Sequence, residues 1–206
     1  MSAVEILAAD VAGPLDTAPG RVLVGITGPP GAGKSTVAQA LLGRFDGASY
    51  VPMDGFHLSN AVLEELGRRH RKGAPDTFDA AGYLAVLRRI VDEYGREDVY
   101  VPAFERRLDE PVAAGHVVPA TSRLVITEGN YLGLPDGQWA PVLPLLNRLY
   151  YVDCPARQRR VRLVRRHVEG GRTPQAAAEW VDAVDEPNAR LIATARPHCD
   201  LVVDGC

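Results

Sequence analysis

The stretch Arg21–Ser35, RVLVGITGPPGAGKS, decides the fold of this 206-residue chain. Its first seven residues form a short apolar run that is typical of a buried strand. The next eight, from Gly28 to Ser35, match the pattern G-x-x-x-x-G-K-[ST] at every fixed position. From Ser35 to about Phe45 the apolar residues recur at helical spacing, on a stripe formed by Val37, Ala38, Leu41 and Leu42. A strand, a glycine-rich turn and a helix in this order predict a loop that binds phosphate groups.

The predicted loop has the chemistry that a nucleoside triphosphate needs. Glycines let backbone N–H groups converge on an anion, and the N-terminus of the helix adds a partial positive charge. We expect Lys34 to reach the β- and γ-phosphates and the Ser35 hydroxyl to ligate Mg²⁺. The predicted nucleotide-binding residues are Gly28, Pro29, Pro30, Gly31, Ala32, Gly33, Lys34, Ser35 and Thr36, together with Arg162 from a later helix.

Lysine usage argues against recognition of guanine. The chain has only two lysines, Lys34 and Lys72, and all its other basic side chains apart from histidine are arginines. The pattern [NT]-K-x-D, which reads guanine, needs a lysine that neither position supplies. A GTPase is therefore not expected.

Composition excludes several classes of protein. The chain is 46% apolar and 24% charged, which indicates one globular domain over residues 1–206. The net charge of −3 argues against a surface built for nucleic acid. No run of about 18 apolar residues exists, so no membrane span is expected. Glu5 and Asp10 stand where a secretory signal would be basic. The chain has three cysteines, Cys154, Cys199 and Cys206, and their spacing fits no metal site. An odd number of cysteines favours a reducing cytoplasm. We therefore expect neither a disulfide scaffold nor a structural zinc site.

Short apolar runs alternate with helical patterns along the rest of the chain. Further strands are predicted at Ala48–Met53, Leu124–Thr127, Leu149–Val152 and Leu201–Val203. Helices are predicted over Ala80–Tyr94, Ala156–Val168 and Pro174–Val184. This alternation is typical of an α/β fold with a parallel sheet covered on both faces.

Three segments depart from the alternation. Residues 1–20 form a weak preamble with alanine-rich helical character, so the core is expected over about 20–206. Two polar insertions, at about 60–79 and 99–118, interrupt the pattern. We expect both insertions at the carboxyl edge of the sheet, where ligands bind in open α/β folds.

Three acids directly follow predicted strands, and the carboxyl ends of parallel strands meet at one edge of the sheet. Phosphoryl transfer needs one carboxylate for Mg²⁺ and another to accept the proton of the attacking hydroxyl. Glu128, after the run LVIT, is predicted to hold the metal with Ser35, and Asp54, before Gly-Phe-His, to be the general base. A helix cap or a solvated strand end is the alternative for each. Asp153 is expected to cap the helix that follows it.

An arginine-rich segment at about 157–173 is predicted to be a lid. Arg162, Arg165 and Arg166 fall on one helical face, and an apolar stripe of Val161, Val164 and Val168 lies opposite. Such a face suits closure over a triphosphate, with Arg165 and Arg166 as catalytic residues and Gly170-Gly171 as a hinge. The alternatives are a solvated basic face and an RNA-binding patch; the latter is disfavoured because stacking aromatic residues are absent nearby.

The residues predicted to contact the phosphate acceptor lie around the two insertions. They are Asp54, His57, Lys72, Phe104, Arg106 and Glu128. For Lys72, His57 and Arg106 an ordinary structural or surface role is the alternative. Asn188 and Arg190 are candidates for an adenine pocket, with a plain restart of the helix as the alternative. The other histidines, His70, His116, His167 and His198, are expected to be ordinary surface or core residues.

In chain order, the segments GPPGAGKS, MDGFH, KGAPDTFD, ITEGNYL and DEPNARLI resemble the P-loop kinases of the uridine kinase, phosphoribulokinase and pantothenate kinase family. The resemblance covers about residues 20–204 and is strongest to a short bacterial branch described as nucleoside/nucleotide kinase-like or fructose-transport-kinase-like. It implies a P-loop NTPase fold with a five-stranded parallel core and a lid, and it implies the same roles for Asp54 and Glu128. Uridine kinases carry P-x-Y-D-F-x-x-H, but Phe104 and Asp109 replace the tyrosine and histidine here. We do not expect uracil to be held in the same way.

The expected activity is ATP-dependent phosphoryl transfer to a hydroxyl group of a small metabolite. A sugar or a nucleoside ranks first and a pantothenate-like alcohol second. We expect no nucleic-acid or membrane partner, and a homodimer by analogy. A nucleotide phosphohydrolase that uses water as the acceptor, a regulatory module that binds ATP without turnover and, more remotely, a nucleic-acid kinase remain open alternatives.

Overall fold

The computed structural model describes all residues from 1 to 206 and is built on a five-stranded parallel sheet. The strands of the chain are β1 (Val22–Thr27), β2 (Ser49–Pro52), β3 (Val99–Glu105), β4 (Glu110–Val118), β5 (Leu124–Glu128), β6 (Arg148–Asp153) and β7 (Leu201–Asp204). The sheet has the order β2-β5-β1-β6-β7, while β3 and β4 form a separate antiparallel hairpin. The predicted α/β fold with five parallel strands is confirmed.

Seven α-helices accompany these strands. They are α1 (Ala3–Thr17), α2 (Lys34–Leu42), α3 (Asn60–Glu65), α4 (Ala80–Asp92), α5 (Ala156–Glu169), α6 (Pro174–Trp180) and α7 (Glu186–Ile192). Short 3₁₀ turns cover Met53–Phe56, Arg69–Arg71, Pro75–Thr77, Gly137–Leu145 and Ala193–His198, and a π-helical turn covers Val181–Asp185. No helix combines the length and the apolar character that crossing a membrane would require.

The core has two layers, one on each face of the sheet. Every residue of β1 is buried, because this strand lies at the centre of the sheet with cover on both sides. Val22, Val24 and Ile26 pack in the layer that contains α1 and α2 residues, and Leu23 packs in the layer that contains α4 residues. This double cover explains why the strand is a continuous apolar run instead of an alternating one.

The N-terminal segment forms a helix, in line with its alanine-rich pattern, and packs against the sheet more closely than that pattern predicts. Ser2 and Glu5 form a reciprocal capping box at the start of α1. Leu7 and Val11, one turn apart, are fully buried against the sheet. Asp10 accepts hydrogen bonds from Tyr150 (2.7 Å) and Arg148 (3.0 Å) on β6. The helix is thus held by long-range contacts that the local sequence does not reveal.

The helix predicted over Pro174–Val184 is divided. The α-helical pattern of α6 ends at Trp180, passes through a π-helical turn and resumes as α7. Pro187 lacks a backbone N–H, so an undisturbed α-helix cannot run through this position. The structure accommodates the proline with the wider turn.

The cysteines contradict the expectation of a chain without disulfides. Cys154 and Cys206 are joined as a disulfide, and Cys199 is free. The two bonded residues follow the neighbouring parallel strands β6 and β7, whose carboxyl ends lie side by side. The 52-residue separation between them gives no local signal for this pairing.

Both insertions lie beside the turn that follows β2, at the carboxyl edge of the sheet. The hairpin β3–β4 passes directly over Gly55, where a Cβ atom would lie 2.3 Å from the carbonyl oxygen of Pro102. An isolated bridge between His57 and Phe78 ties the end of the first insertion to the same turn. The hairpin and the insertion therefore border the position of Asp54.

Candidate active site

The phosphate-binding loop lies between β1 and α2, as predicted. Gly28 has φ +144°, and a Cβ atom there would lie 2.3 Å from the carbonyl oxygen of Val152 on β6. Gly33 adopts φ +97° immediately before α2. Only glycine meets both demands without strain, so the fixed glycines of the motif follow from backbone geometry.

Lys34 is buried at the base of this loop, and its ammonium donates to the carbonyl of Pro29 over 3.2 Å. Burial lowers the pKa of Lys34 to about 8, although the charges of Glu128 and Asp54 act to raise it. The charges of Arg166 and Arg159 act in the same direction as burial. Lys34 therefore lies in the field of both predicted catalytic carboxylates and of two arginines.

Glu128 ends β5 and is only 5% exposed. Its Oε1 accepts hydrogen bonds from Tyr50 (2.9 Å) and from Ser35 (3.2 Å), the last residue of the phosphate-binding motif. Burial and then the charge of Asp54 raise the pKa of Glu128, while Lys34 opposes them. Ser35 and Glu128, which the sequence pairs as metal ligands, are in direct contact.

Asp54 lies in the 3₁₀ turn after β2, the strand adjacent to β5. It is partly exposed, and its carboxylate makes no hydrogen bond to the protein. His57 Nδ1 instead donates to the backbone carbonyl of Asp54 over 2.8 Å. Because a carbonyl only accepts, Nδ1 carries the proton and Nε2 is left as an acceptor when the ring is neutral.

The donor set at the centre of the site fits Mg²⁺. Two carboxylates, Asp54 and Glu128, lie close enough to act on the charge of Lys34, so the centre offers carboxylate oxygens beside the loop. No cluster of three or more His, Cys, Asp or Glu side chains exists. Mg²⁺ is usually bound by only one or two protein oxygens, with phosphates and water completing its shell. The hydroxyl and carboxylate pair beside the loop has this character.

Three of the residues predicted to contact the acceptor, His57, Phe104 and Lys72, lie close together beside Asp54. The ring of His57 lies 3.9 Å from that of Phe78 and 4.9 Å from that of Phe104, and burial lowers the pKa of His57. The Lys72 ammonium lies 5.1 Å from the centre of the Phe104 ring. Arg106 is exposed near the turn of the hairpin, and its side chain has no hydrogen-bond partner there.

Lys72 is engaged by the protein itself. Its ammonium donates to Asn60 Oδ1 over 2.7 Å and to the backbone carbonyl of Asp109, and it pairs with the Asp109 carboxylate at 3.1 Å. The lysine is 8% exposed. It joins the first insertion to the turn of the hairpin.

The arginine-rich helix α5 lies across the phosphate-binding loop. Arg162 donates to the carbonyls of Gly31 (3.2 Å) and Gly205 (3.1 Å). Arg165 and Arg166 are exposed, and Arg165 lies 3.6 Å from Glu169. A cleft of about 640 Å³ between helix and loop is lined by residues that include Gly33, Lys34, Ser35, Thr36, Arg162, Arg165 and Arg166.

The predicted apolar stripe of α5 is wrong. Val161 is 67% exposed and Val168 is 38% exposed, whereas the buried residues of the helix are Arg159 and Leu163. Arg159 donates to the carbonyl of Pro30 over 3.4 Å and pairs with Glu186 at 3.2 Å. The helix turns a basic residue inward because the loop offers a carbonyl oxygen and α7 offers a carboxylate.

Two further expectations are corrected. Asp153 does not cap α5, because Pro155 occupies the cap position; Asp153 instead accepts from the backbone of Cys154 and lies 3.5 Å from Arg196. Asn188 donates to the carbonyl of Gly73 over 3.3 Å. It therefore lies against the first insertion and not in the nucleotide cleft.

The site also contains residues that sequence reasoning missed. Tyr50 and Arg159 contact it as described, and Tyr131, in the segment ITEGNYL, donates to the carbonyl of Gly73. Outside the site, His167, predicted to be an ordinary surface or core residue, bonds to buried Asp185 over 2.8 Å. Of these residues, only Tyr131 could have been suspected from the sequence, because it lies three positions after Glu128. The others depend on contacts between distant segments.

Comparisons with known proteins agree with this architecture, although no family model matches the chain. The uncharacterised protein YggC of Escherichia coli K12 is 35% identical over 191 residues, which cover 89% of this chain and 78% of that protein. A proposed uridine kinase of Schizosaccharomyces pombe, C227.14, is 34% identical over 198 residues, covering 89% and 83%. The crystal structure of a proposed fructose transport system kinase from Silicibacter sp. TM1040 is 36% identical, with a TM-score of 0.87 and coverage of 98% and 99%. The chain belongs to the P-loop kinases of the uridine kinase family, whose reaction is ATP-dependent phosphoryl transfer.

Proposed function

We propose that this kinase transfers the γ-phosphoryl group of ATP to a hydroxyl group of a small polyhydroxyl metabolite, a sugar or a nucleoside. One observation carries the proposal. Two carboxylates follow adjacent strands beside the phosphate-binding loop, and they differ in their hydrogen-bond partners. Glu128 is held by hydroxyl donors, whereas the Asp54 carboxylate has no protein donor. A carboxylate held in place, such as Glu128, suits a metal ligand, and a carboxylate free to accept a proton, such as Asp54, suits a general base.

Each residue of the loop region has a role in this proposal. The backbone from Gly28 to Thr36 and the Lys34 ammonium bind the phosphates, and Arg162 braces the loop against α5. Ser35 and Glu128 would hold Mg²⁺, which neutralises charge on the phosphate oxygens when bound. Arg165 and Arg166 stabilise the charge that develops on the transferred group. Asp54 accepts the proton of the acceptor hydroxyl.

The acceptor is proposed to lie over His57 and Phe104. Burial favours the neutral form of His57, and its free Nε2 can accept a hydrogen bond from a hydroxyl group. The Phe104 ring offers an apolar surface beside it, and Arg106 lies at the outer rim. Lys72 shapes this region by fixing the insertion to the hairpin. A homodimer and the absence of nucleic-acid partners remain predictions.

The experiment is an ADP-release assay with a panel of sugars, nucleosides and pantothenate, for the wild-type enzyme and Asp54→Asn. We expect at least one alcohol to stimulate ADP release, and Asp54→Asn to lower kcat by about 10² or more without weakening ATP binding. Asp46→Asn, which changes an exposed acid, is the matched control.

The outcomes separate the alternatives. ADP release that no alcohol changes would identify a nucleotide phosphohydrolase. ATP binding without ADP release under any condition would identify a regulatory module. Full activity in Asp54→Asn would show that Asp54 is not the general base.

A further inference from the structure

We propose that Tyr50 is a positioning residue that holds the Glu128 carboxylate in the orientation needed to bind the metal ion. The inference rests on the proposed role of Glu128 as a metal ligand. It adds an outer-sphere partner from the edge strand β2, which carries no recognised motif at this position.

The register of the sheet places the two side chains on one face. Tyr50 on β2 pairs with Ile126 on β5, and Glu128 lies two residues beyond Ile126. Residues two apart in a strand point to the same side. A long side chain can reach such a diagonal neighbour, and the Tyr50 hydroxyl does so over 2.9 Å.

The two oxygens of the Glu128 carboxylate differ in their hydrogen bonds. Oε1 receives both the Tyr50 hydroxyl and the Ser35 hydroxyl, and no protein donor reaches Oε2. Two donors on one oxygen fix the rotation of the carboxylate. The other oxygen is left available to a cation.

The chemistry of the two groups settles the direction of the Tyr50 bond. A phenol hydroxyl carries a proton at neutral pH and a carboxylate oxygen accepts, so the Tyr50 hydroxyl donates to Glu128 over 2.9 Å. This bond does not involve Ser35, so it would be retained if the Ser35 hydroxyl were used to bind a metal ion. Tyr50 is therefore the donor that keeps Glu128 in place when the site is loaded.

The ring of Tyr50 is supported separately from its hydroxyl. His116 on β4 meets it edge-on, with ring centres 5.7 Å apart and an interplanar angle of 87°. Phenylalanine at this position keeps that packing and loses only the hydroxyl. The positioning role can thus be tested apart from the structural role of the ring.

The test measures Mn²⁺ binding to the enzyme–ATP complex by the loss of the free Mn²⁺ signal in electron paramagnetic resonance. The variants are Tyr50→Phe, Glu128→Gln and the double variant, with Tyr100→Phe on the exposed face of the hairpin as the matched control. Outer-sphere substitutions cost about 10–100-fold in metal affinity. We expect about a tenfold loss in Tyr50→Phe, with ATP binding in EDTA and the melting temperature unchanged.

The double variant provides the sharpest outcome. If Tyr50 acts only through Glu128, Tyr50→Phe has no further effect on Mn²⁺ binding in the Glu128→Gln background. Weak binding in Glu128→Gln with normal binding in Tyr50→Phe would overturn the inference and leave the proposed function standing. Normal binding in Glu128→Gln would overturn the metal assignment itself. An equal loss of ATP binding in EDTA for Tyr50→Phe would show a merely structural role.

Discussion

Lys34 donates its one hydrogen bond within the protein to Pro29, 3.2 Å away in the same loop. The buried ammonium therefore has a backbone carbonyl as its direct partner, while the carboxylates of Glu128 and Asp54 act on it only through their charges. This arrangement explains why burial dominates and lowers the pKa of Lys34 to about 8. A triphosphate would give the ammonium the anionic partner that the free protein lacks.

Proton uptake on ATP binding follows from this pKa. Bound phosphates raise the pKa of Lys34, so binding takes up protons where the free lysine is partly neutral. ATP affinity should fall as the pH rises through about 8, by up to about tenfold per pH unit. Calorimetry at pH 7 and pH 9, in buffers of different ionisation enthalpy, measures both affinity and uptake. The lysine assignment fails if uptake at pH 9 is the same in wild type and Lys34→Met.

The sequence alone predicts the parts of the site that depend on a local motif or on where a strand ends. Gly28, Lys34 and Ser35 are fixed by one motif between a strand and a helix. Asp54 and Glu128 could be placed together because parallel strands end at a common edge. Each of these positions needs only the strand boundaries and the rule for their ends.

The remaining contacts depend on choices that local patterns leave open. The valine spacing of α5 predicts a helix, but the carbonyl of Pro30 and the carboxylate of Glu186 decide that Arg159 faces inward. The Tyr50 contact needs the register between β2 and β5, which a single sequence does not give. The Cys154–Cys206 disulfide likewise depends on β6 and β7 being neighbours.

The lid arginines should differ in importance. The charge of Arg166 acts on Lys34, whereas Arg165 pairs with Glu169 on its own helix. We expect Arg166→Gln to lower kcat by about 10³ or more, since an arginine on the transferred phosphoryl group contributes about 10³–10⁵ in related chemistry. Arg165→Gln should have a smaller effect. Steady-state kinetics of both variants, with exposed Arg88→Gln on α4 as the control, provide the comparison. Equal losses in the two lid variants would contradict this ranking.

Lys72 should matter for stability and for the acceptor, but not for ATP. Its ammonium links Asn60 in the first insertion to Asp109 at the hairpin turn, so Lys72→Met removes three polar contacts from a nearly buried site. We expect the free energy of unfolding to fall by about 1–3 kcal/mol, the usual cost of leaving a buried polar group without its partner. The insertion and the hairpin border Asp54, and the hairpin carries Phe104. The KM for the acceptor should therefore rise while the KM for ATP stays constant. Urea denaturation and kinetics measure the two effects, with exposed Arg96→Gln as the control. A rise in the KM for ATP as large as that for the acceptor would show that Lys72 serves the nucleotide cleft instead.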